Sequence, residues 1–525
     1  MFTQSRPPTD NTPASDPERF LRVDHLGTDL RGRSVRGGAV TLGSQGGKFL
    51  LTLGSTAILA RILTPEDFGL IAMVIVIIGF IGIFKDMGLA MATVQRAEIN
   101  HGQVSTLFWL NLAISIGIMA ITSALAPLLA AFYKEPRVTG ITVVLAITII
   151  FSGLTVQHQA LLRRQMRFAA LAVVEVSALL IGAAVAITCG LAGFRYWSLV
   201  ILHVVREIVT MFGVWVLCGW RPGAPVRKSG VRSMIAFGAH LTGFNIVNYV
   251  ARNVDKMLIG WYWGAAPLGL YNNAYRLLLL PIQQINVPLT SVAVPTLSRL
   301  QEQRERYRAY YRRGVLLTVA AGMPIVAFLF VAAEKAVLTF LGSQWLDAVA
   351  IFRAFGPAAF IGTFNVATGW VYVSLGTTRR QFAWGIFGSA VTVLAYVIAL
   401  PWGPIGVAAA FSVTLVVLRF PSVVYCFRRS HLELSDLGVA LWRPAMASLA
   451  AGGALFGLNT MFEIPVPVGV GLALDFVFYA GLYLLVWLLL PGGRQSIRDI
   501  LEIARDLRQS QPNPRDGYVG QSEET

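Results

Sequence analysis

The sequence predicts an all-α polytopic membrane protein of about 14 transmembrane helices, arranged as two six-helix lobes related as repeats plus two extra C-terminal helices. Three observations support this prediction. Hydrophobic residues make up 55% of the 525 positions and charged residues only 13%, whereas soluble domains carry roughly 25% charged residues. The apolar residues form runs long enough to cross a bilayer as helices of about 20 residues. The third observation is an internal repeat.

The repeat joins two segments that lie two hundred residues apart. In Leu59–Leu70 and again in Leu258–Tyr271, an apolar helix ends, a short turn follows, and Phe-Gly-Leu or Leu-Gly-Leu opens the next helix. The parallel continues without a gap, because residues 89–94 are in register with residues 289–294. Both halves begin on the same side of the membrane, so they are predicted to be parallel repeats about an axis along the membrane normal.

The elements follow in chain order. Residues 1–36 are polar and rich in proline, which predicts a disordered cytoplasmic tail. Residues 37–220 are assigned to the first lobe, 229–428 to the second lobe and 438–490 to the two extra spans. The predicted span centres are Leu51, Val76, Ile118, Thr148, Ile181, Val204, Val247, Ile285, Val319, Phe360, Val391, Val413, Ala450 and Leu474.

The C-terminal segment changes character after Pro491. Residues 494–508 place an apolar stripe opposite basic residues, which predicts an amphipathic helix on the inner leaflet, with a partner-binding helix as the alternative. Residues 509–525 are predicted to be disordered. No apolar core follows the initiator methionine closely, so we expect no cleavable signal peptide.

Loop charges predict the orientation. Loops on the side of the N-terminus hold 19 Lys and Arg residues, and the opposite loops hold five. Because cytoplasmic loops are enriched in Lys and Arg, both termini are predicted to be cytoplasmic. The net charge of +16 is therefore an orientation signal, and we expect no nucleic-acid partner.

Charges inside the spans are costly, so they mark cavities or partners. Eight basic and five acidic residues leave a surplus of three positive charges. On the seventh span, Asn245, Asn248, Arg252, Asp255 and Lys256 share one helical face. Asp255 is expected to pair with Arg252 or Lys256. We interpret this face as part of the lining of a transport pathway. The alternative is a salt-bridged stripe that packs against other helices.

The first and eighth spans add further polar groups. Lys48 lies about a third of the way across the first span. In the eighth, Gln283 and Asn286 can share a face, and Pro281 and Pro288 predict bends. Arg276 suits a phosphate, because a guanidinium matches phosphate oxygens with two parallel hydrogen bonds.

Catalytic and metal-binding patterns are not found in the sequence. The six histidines and three cysteines show no metal-ligand spacing, and the outer loops are too short for a folded active site. We therefore expect no enzyme chemistry, no cofactor and no metal.

The motifs resemble a known family. Ala60–Gly69, Asp86–Ala90, Asn253–Gly260 and Gly269–Tyr271 resemble the polysaccharide transporter (Wzx-type oligosaccharide flippase) family of the multidrug/oligosaccharidyl-lipid/polysaccharide exporter superfamily. The resemblance covers about residues 38–490. It implies two lobes in a V that opens alternately to each side, and a cationic cavity for an undecaprenyl-diphosphate-linked oligosaccharide.

The resemblance also gives candidate site residues. The diphosphate is assigned to Lys48, Arg252, Lys256 and Arg276; the sugar to Asn245, Asn248, Gln283 and Asn286; and ion coupling to Asp86, Asp255 and Glu207. The implied partners are the lipid-linked oligosaccharide, membrane lipid, and polysaccharide polymerase and chain-length regulator proteins. Two alternatives remain, a cation-coupled drug antiporter of the same fold and a membrane scaffold for a polysaccharide assembly complex.

Overall fold

The computed structural model describes residues 30–86, 89–96, 99–226, 249–250, 252–462 and 465–498. All regular elements in these ranges are helices, as the apolar runs predict, because a bilayer requires each backbone polar group to be paired internally. The predicted all-helical fold class is confirmed. Asn245 and Asn248 lie outside the described residues, as does most of the predicted amphipathic helix, of which residues 494–498 are described and helical.

The described helices of the first lobe precede residue 219. They are α1 (Leu30–Ile62), α2 (Pro65–Asp86), α3 (Leu89–Gln95), α4 (His101–Tyr133), α5 (Arg137–Arg164), α6 (Phe168–Leu191) and α7 (Trp197–Cys218). Helix α1 begins at Leu30, inside the segment assigned to the N-terminal tail.

The second lobe and the C-terminal helices follow. The second lobe contains α8 (252–263), α9 (Ala265–Arg299), α10 (Arg304–Val331), α11 (Ala333–Phe340), α12 (Ala348–Gly362), α13 (Asn365–Ser374), α14 (Thr378–Ala399) and α15 (Gly403–Phe427). The two extra helices are α16 (Leu434–Met461) and α17 (Val468–Leu489).

The predicted number of spans is not confirmed. Among the described residues, ten helices are long and apolar enough to cross a membrane, or eleven if a bent pair within α9 counts as one span. The continuous stretch Thr378–Phe427 counts once in that number, although it contains both α14 and α15. The seventh predicted centre, Val247, lies outside the described residues. Helix α9 bends by 45° between Leu279 and Pro281, where the sequence predicts a proline bend.

We name the two ends of the bundle by the predicted orientation. The outer end carries the turns at residues 63–64, 134–136 and 192–196, and the inner end carries those at 165–167, 300–303 and 428–433. Local sequence fixes the residue at which two helices begin at the inner end. Asn100 and Gln103 form a reciprocal capping box at the start of α4, and Glu433 and Asp436 form another at the start of α16.

The apolar core shows how the lobes meet. One cluster at the outer end combines first-lobe residues such as Leu59 and Leu70 with second-lobe residues such as Tyr271, Trp345 and Phe352. Two further clusters lie toward the inner end, one within the first lobe and one that joins the second lobe to α16. The lobes are therefore packed together at the outer end, and their inner-end cores are separate.

The glycines of the repeat form a close contact between the lobes. A Cβ atom added to Gly69 would lie 1.7 Å from the carbonyl oxygen of Ala265, and one added to Gly269 would lie 1.8 Å from that of Pro65. The two contacts are reciprocal, because Pro65 and Gly69 have Ala265 and Gly269 as their counterparts two hundred residues later. This reciprocity is the property of a two-fold interface and agrees with the predicted repeat.

The C-terminal pair is fixed to the second lobe at both ends. At the inner end, Arg308 of α10 donates 2.9 Å hydrogen bonds to Asp436 and Glu433. At the outer end, Lys335 of α11 binds Asp475 of α17 at 2.7 Å. Ionic contacts at both ends therefore hold α16 and α17 against α10 and α11.

Candidate functional site

A polar cavity lies within the first lobe. Its volume is about 430 Å³, and helices α1, α3, α5, α6 and α7 all contribute to its wall. Five charged side chains line it, on four of these helices: Lys48, Arg163, Glu175, Arg206 and Glu207. Hydroxyl and amide side chains complete the polar part of the wall: Thr52, Ser152, Thr155, Gln159 and Thr210.

Lys48 is held by a carboxylate in this cavity. Its Nζ atom lies 2.5 Å from Oε2 of Glu175, and the two side chains are 23% and 43% exposed. The sequence shows Glu175 only as an isolated charge in a span. Its partner is 127 residues away, so the pair could not be recognised from spacing along one helix.

Two arginines from different lobes come together beside the cavity. Arg206 of α7 lines the cavity, and Arg276 of α9 lies close enough to repel it electrostatically. His203 lies within electrostatic range of both guanidinium groups. Neither arginine side chain forms a hydrogen bond or ion pair with the described part of the chain. Unpaired like charges placed together favour an anionic ligand.

Arg276 also contacts the first helix. It lines a small void with Thr56 and Ala57 of α1 and Asn273 of its own helix. The structure therefore brings Arg276 close to the first lobe, and Lys48 and Glu207 line the same first-lobe cavity. Of the other assigned residues, Arg252, Lys256, Gln283 and Asn286 do not line that cavity.

The polar face of α8 differs from its prediction. Asp255 is buried and accepts a 2.7 Å hydrogen bond from the Tyr271 hydroxyl, and it forms no ion pair within the described residues. The predicted local pair with Arg252 or Lys256 is therefore wrong. The Lys256 ammonium instead binds Asn253 at 3.2 Å and lies 5.3 Å from the ring centre of Tyr275. The tyrosine hydroxyl reaches back from α9 and takes the place of the basic partner.

Gln283, Asn286 and Asp86 are the remaining residues that the sequence assigned to the site. Gln283 is exposed on α9, and Asn286 has a buried side-chain oxygen without a hydrogen-bond partner among the described residues. Helix α2 ends at Asp86, whose side chain lies outside the described part. In the second lobe, Arg419 donates a 2.5 Å hydrogen bond to Asn365 and lies over the Phe364 ring, so it is engaged within its own lobe.

Hydrogen bonds between the lobes close the outer end. Ala60 offers its carbonyl oxygen to the Gln344 amide and, at 2.8 Å, to the Trp345 indole. Arg61 donates a 2.6 Å bond to the carbonyl oxygen of Thr339. These bonds join the end of α1 to the last turn of α11 and to the segment that follows it. They add directional contacts to the shared apolar core.

A salt-bridged cluster stabilises the outer end of the first lobe. The Arg137 guanidinium binds Glu135 at 2.7 Å and Glu66 at 2.5 Å, which ties the start of α2 to the start of α5. The hydrogen bond from Arg137 lowers the pKa of Glu135 below its ordinary value, because it stabilises the charged carboxylate.

Comparisons with known proteins agree with this fold. The chain is 24% identical over 374 residues to the lipopolysaccharide biosynthesis protein WzxC of Escherichia coli (strain K12), which covers 70% of this chain and 75% of WzxC. Its fold matches the lipid II flippase MurJ in an inward closed conformation, with a TM-score of 0.70 at 14% identity over 86% of this chain and 98% of MurJ. It also matches an inward-facing multidrug resistance MATE transporter of the MOP superfamily, with a TM-score of 0.55 at 14% identity over 73% of this chain and 96% of that one.

The family model described as "Polysaccharide biosynthesis protein" matches residues 58–350. The match begins at the outer end of α1, includes Gly69, Gly269 and the cavity residues of α3, α5, α6 and α7, and extends into α12. Because it covers more than half of the 525 residues, the chain belongs to the polysaccharide biosynthesis protein family.

Proposed function

We propose that this protein is a flippase that moves undecaprenyl-diphosphate-linked oligosaccharides across the bacterial inner membrane by alternating access. Both termini are then cytoplasmic, the cavity is loaded from the inner side, and the chain transports rather than catalyses. The observation that carries this proposal is that Lys48 and Arg206 of the first lobe line one polar cavity and Arg276 of the second lobe lies beside it.

The charge of the site fits a diphosphate. Lys48, Arg163 and Arg206 face Glu175 and Glu207 across the cavity, which leaves one positive charge, and Arg276 beside it makes two. A diphosphate brings about two negative charges, and a wall of low polarity strengthens each contact. Arg252 and Lys256 remain candidates for a later contact, on the face of α8 outside this cavity.

The Glu175 carboxylate and a bound ligand compete for the ammonium group of Lys48. A phosphate oxygen that takes the place of the Glu175 carboxylate on Lys48 leaves that carboxylate free in the cavity. Free carboxylates attract protons, because neighbouring negative charge raises their affinity for H⁺. We therefore add Glu175 to Asp86, Asp255 and Glu207 as a candidate for ion coupling.

The hydroxyl and amide groups of the cavity bind the sugar through hydrogen bonds. Thr155, Gln159 and Thr210 stand beside the cations, and they both donate and accept hydrogen bonds. Gln283 and Asn286 of α9, and Asn245 and Asn248, are further sugar contacts for other stages of the cycle. The lipid tail stays in the bilayer while the headgroup passes between the lobes.

The test is transport in a strain that lacks the gene. We expect the wild-type chain to restore surface polysaccharide, and Lys48→Gln, Arg206→Gln and Arg276→Gln to leave lipid-linked repeat units accumulated at the inner leaflet. A lost charged hydrogen bond costs about 1.5–3 kcal/mol, or roughly 10- to 150-fold in affinity. Arg428→Gln, an exposed arginine at the inner end, is the matched control and should transport normally. All variants are compared at equal protein levels in the membrane.

Two results would contradict the proposal. If all three glutamine variants restore polysaccharide as the wild type does, the cavity does not bind the substrate. If polysaccharide is normal without the gene while resistance to cationic drugs falls, the antiporter alternative is correct. The excess of cations argues against that alternative, because cationic drugs require an acidic cavity.

A further inference from the structure

A second cavity lies at the outer end, between the second lobe and the two C-terminal helices. Its volume is about 620 Å³, which is within the range of about 300–1,000 Å³ of small-molecule sites. Helices α10, α11 and α12 form one wall, and α16 and α17 form the other. It shares no lining residue with the transport cavity.

Two of its charges neutralise each other. The Lys335 ammonium binds Asp475 at 2.7 Å and Asn459 at 3.0 Å, and Asn459 also donates to Asp475 at 3.2 Å. The Asp475 side chain is only 7% exposed. This closed triangle holds α11, α16 and α17 together, and it leaves little attraction for a ligand.

Two other charged residues of the cavity stay open. Arg353 of α12 and Glu334 of α11 line it and are exposed, and neither forms a hydrogen bond or ion pair with the described part of the chain. Among its described lining residues, the cavity therefore offers one unpaired cation and one unpaired anion. A ligand that carries one charge of each sign fits this arrangement better than a purely anionic one.

The rest of the wall is apolar and lies at the ends of the helices. Phe456 near the end of α16, Val468 at the start of α17 and Leu474 one to two turns further are all exposed hydrophobic residues. Helix ends lie at the level of lipid headgroups, and apolar side chains just inside that level meet acyl chains. The cavity is thus polar where a headgroup lies and apolar where its chains begin.

We propose that this cavity binds an aminophospholipid of the outer leaflet, of the phosphatidylethanolamine type. Arg353 binds the phosphate through its guanidinium, and Glu334 accepts hydrogen bonds from the primary ammonium group. The acyl chains lie along Phe456 and Val468. The bound lipid fills the space between the second lobe and the C-terminal pair, independently of the substrate that the transport cavity takes.

The chemistry makes a definite selectivity prediction. Phosphatidylcholine has the same phosphate, but its quaternary ammonium group cannot donate a hydrogen bond to Glu334. Phosphatidylglycerol has the phosphate and no cation, so it leaves Glu334 unpaired beside an anion. Phosphatidylethanolamine should therefore be retained most strongly of the three.

The experiment is native mass spectrometry of the full chain, delipidated in detergent and titrated with each of the three lipids. We expect the wild type to retain phosphatidylethanolamine at least about tenfold more strongly than phosphatidylglycerol. Arg353→Gln should lower retention of all three lipids, whereas Glu334→Gln should remove only the preference for phosphatidylethanolamine. Arg429→Gln, an exposed arginine at the opposite end, is the matched control and should behave as the wild type.

The two variants keep the test independent of folding, because neither side chain has a partner in the described part of the chain to lose. Equal retention of the three lipids by the wild type would overturn the proposal, as would a preference for phosphatidylglycerol. Wild-type selectivity that persists in both Arg353→Gln and Glu334→Gln would show that lipid binds elsewhere, and would also overturn it.

Discussion

The reciprocal crossing of Gly69 and Gly269 predicts that a single methyl group at either position will open the outer end. An added Cβ at Gly69 would lie 1.7 Å from the Ala265 carbonyl oxygen, whereas carbon–oxygen contacts normally lie at about 3.3 Å or more. The helices must therefore separate by roughly 1.6 Å, the difference between these two distances. Overpacking of this kind costs about 1–3 kcal/mol. This free-energy cost applies only to the conformation in which the two lobes are in contact at the outer end.

The expected effect is a change of conformational population. A penalty of about 1–3 kcal/mol on the closed outer end shifts the ratio of closed to open molecules by roughly 5- to 150-fold. The readout is labelling of Ala265→Cys by a membrane-impermeant maleimide added to whole cells, in a background without the three native cysteines. Ala265 is 9% exposed, so labelling in the wild type is slow and reports opening.

The double variant gives the sharper test. One separation of the helices makes room for both added methyl groups, because each glycine meets the backbone of the other repeat. Gly69→Ala and Gly269→Ala together should therefore cost clearly less than the sum of the single variants, by about 0.5–3 kcal/mol. Gly82→Ala on the same helix is the control, since a Cβ there meets nothing within 4 Å.

Two outcomes would refute this reasoning. Labelling of the Gly69→Ala variant at the rate of Gly82→Ala would mean that the crossing does not limit opening. Strictly additive effects in the double variant would mean that the two glycines do not share one interface.

Three further predictions concern individual groups. Glu175→Gln should release Lys48 and strengthen binding of undecaprenyl diphosphate in detergent about fivefold, as loss of a partly exposed ion pair worth up to ~1 kcal/mol implies; weaker binding would contradict the competition. Asp255→Asn should abolish the response of proteoliposome transport to an imposed pH gradient, whereas Tyr271→Phe, which keeps the charge, should retain it; a normal response in Asp255→Asn would exclude that carboxylate as the coupler. Since the pKa of Glu135 is lowered on folding, its stabilising effect is present above the ordinary value of 4.5 and is lost as pH falls through the lowered value. Glu135→Gln should therefore reduce the apparent melting temperature by a few degrees at neutral pH and show less further loss on acidification than the wild type; identical pH profiles would contradict this.

The sequence predicts the fold well for a physical reason. Apolar runs and the arginines of the loops act through the bilayer, which constrains each segment by its own composition, so helices can be located one at a time. The repeat adds a relation between distant segments that is visible in the sequence itself. The contact that Gly69 and Gly269 make between the lobes therefore joins two positions that share a motif.

The site is predicted less completely, because its contacts depend on packing between segments that share no motif. Lys48 is conspicuous as a charge in an apolar span, but Glu175 becomes its partner only when α1 packs against α6. Asp255 has two basic neighbours in sequence, yet the bend of the chain into α9 brings the Tyr271 hydroxyl closer. Arg163, counted among the loop arginines, reaches the cavity from the last turn of α5. Neighbours in sequence are thus a poor guide to the partners of a charge inside a bundle.

The proposed substrate site and the outer crossing are carried by the same helices. Gly269 and Arg276 lie on one straight segment of α9, seven residues or about 10 Å apart, and Lys48 and Ala60 lie twelve residues or about 18 Å apart on α1. A rigid helix that moves at one end moves at the other. We therefore expect a ligand that draws Lys48 and Arg276 together to alter the contact that Ala60, at the outer end of α1, makes with Gln344 and Trp345 of the second lobe. Linkage makes this coupling reciprocal: if substrate alters the closed-to-open ratio at the outer end by some factor, fixing that end open or closed alters substrate affinity by the same factor. The glycines of the crossing and the cations of the cavity are then two parts of one mechanism, and a substitution at the crossing can change affinity without touching the ligand.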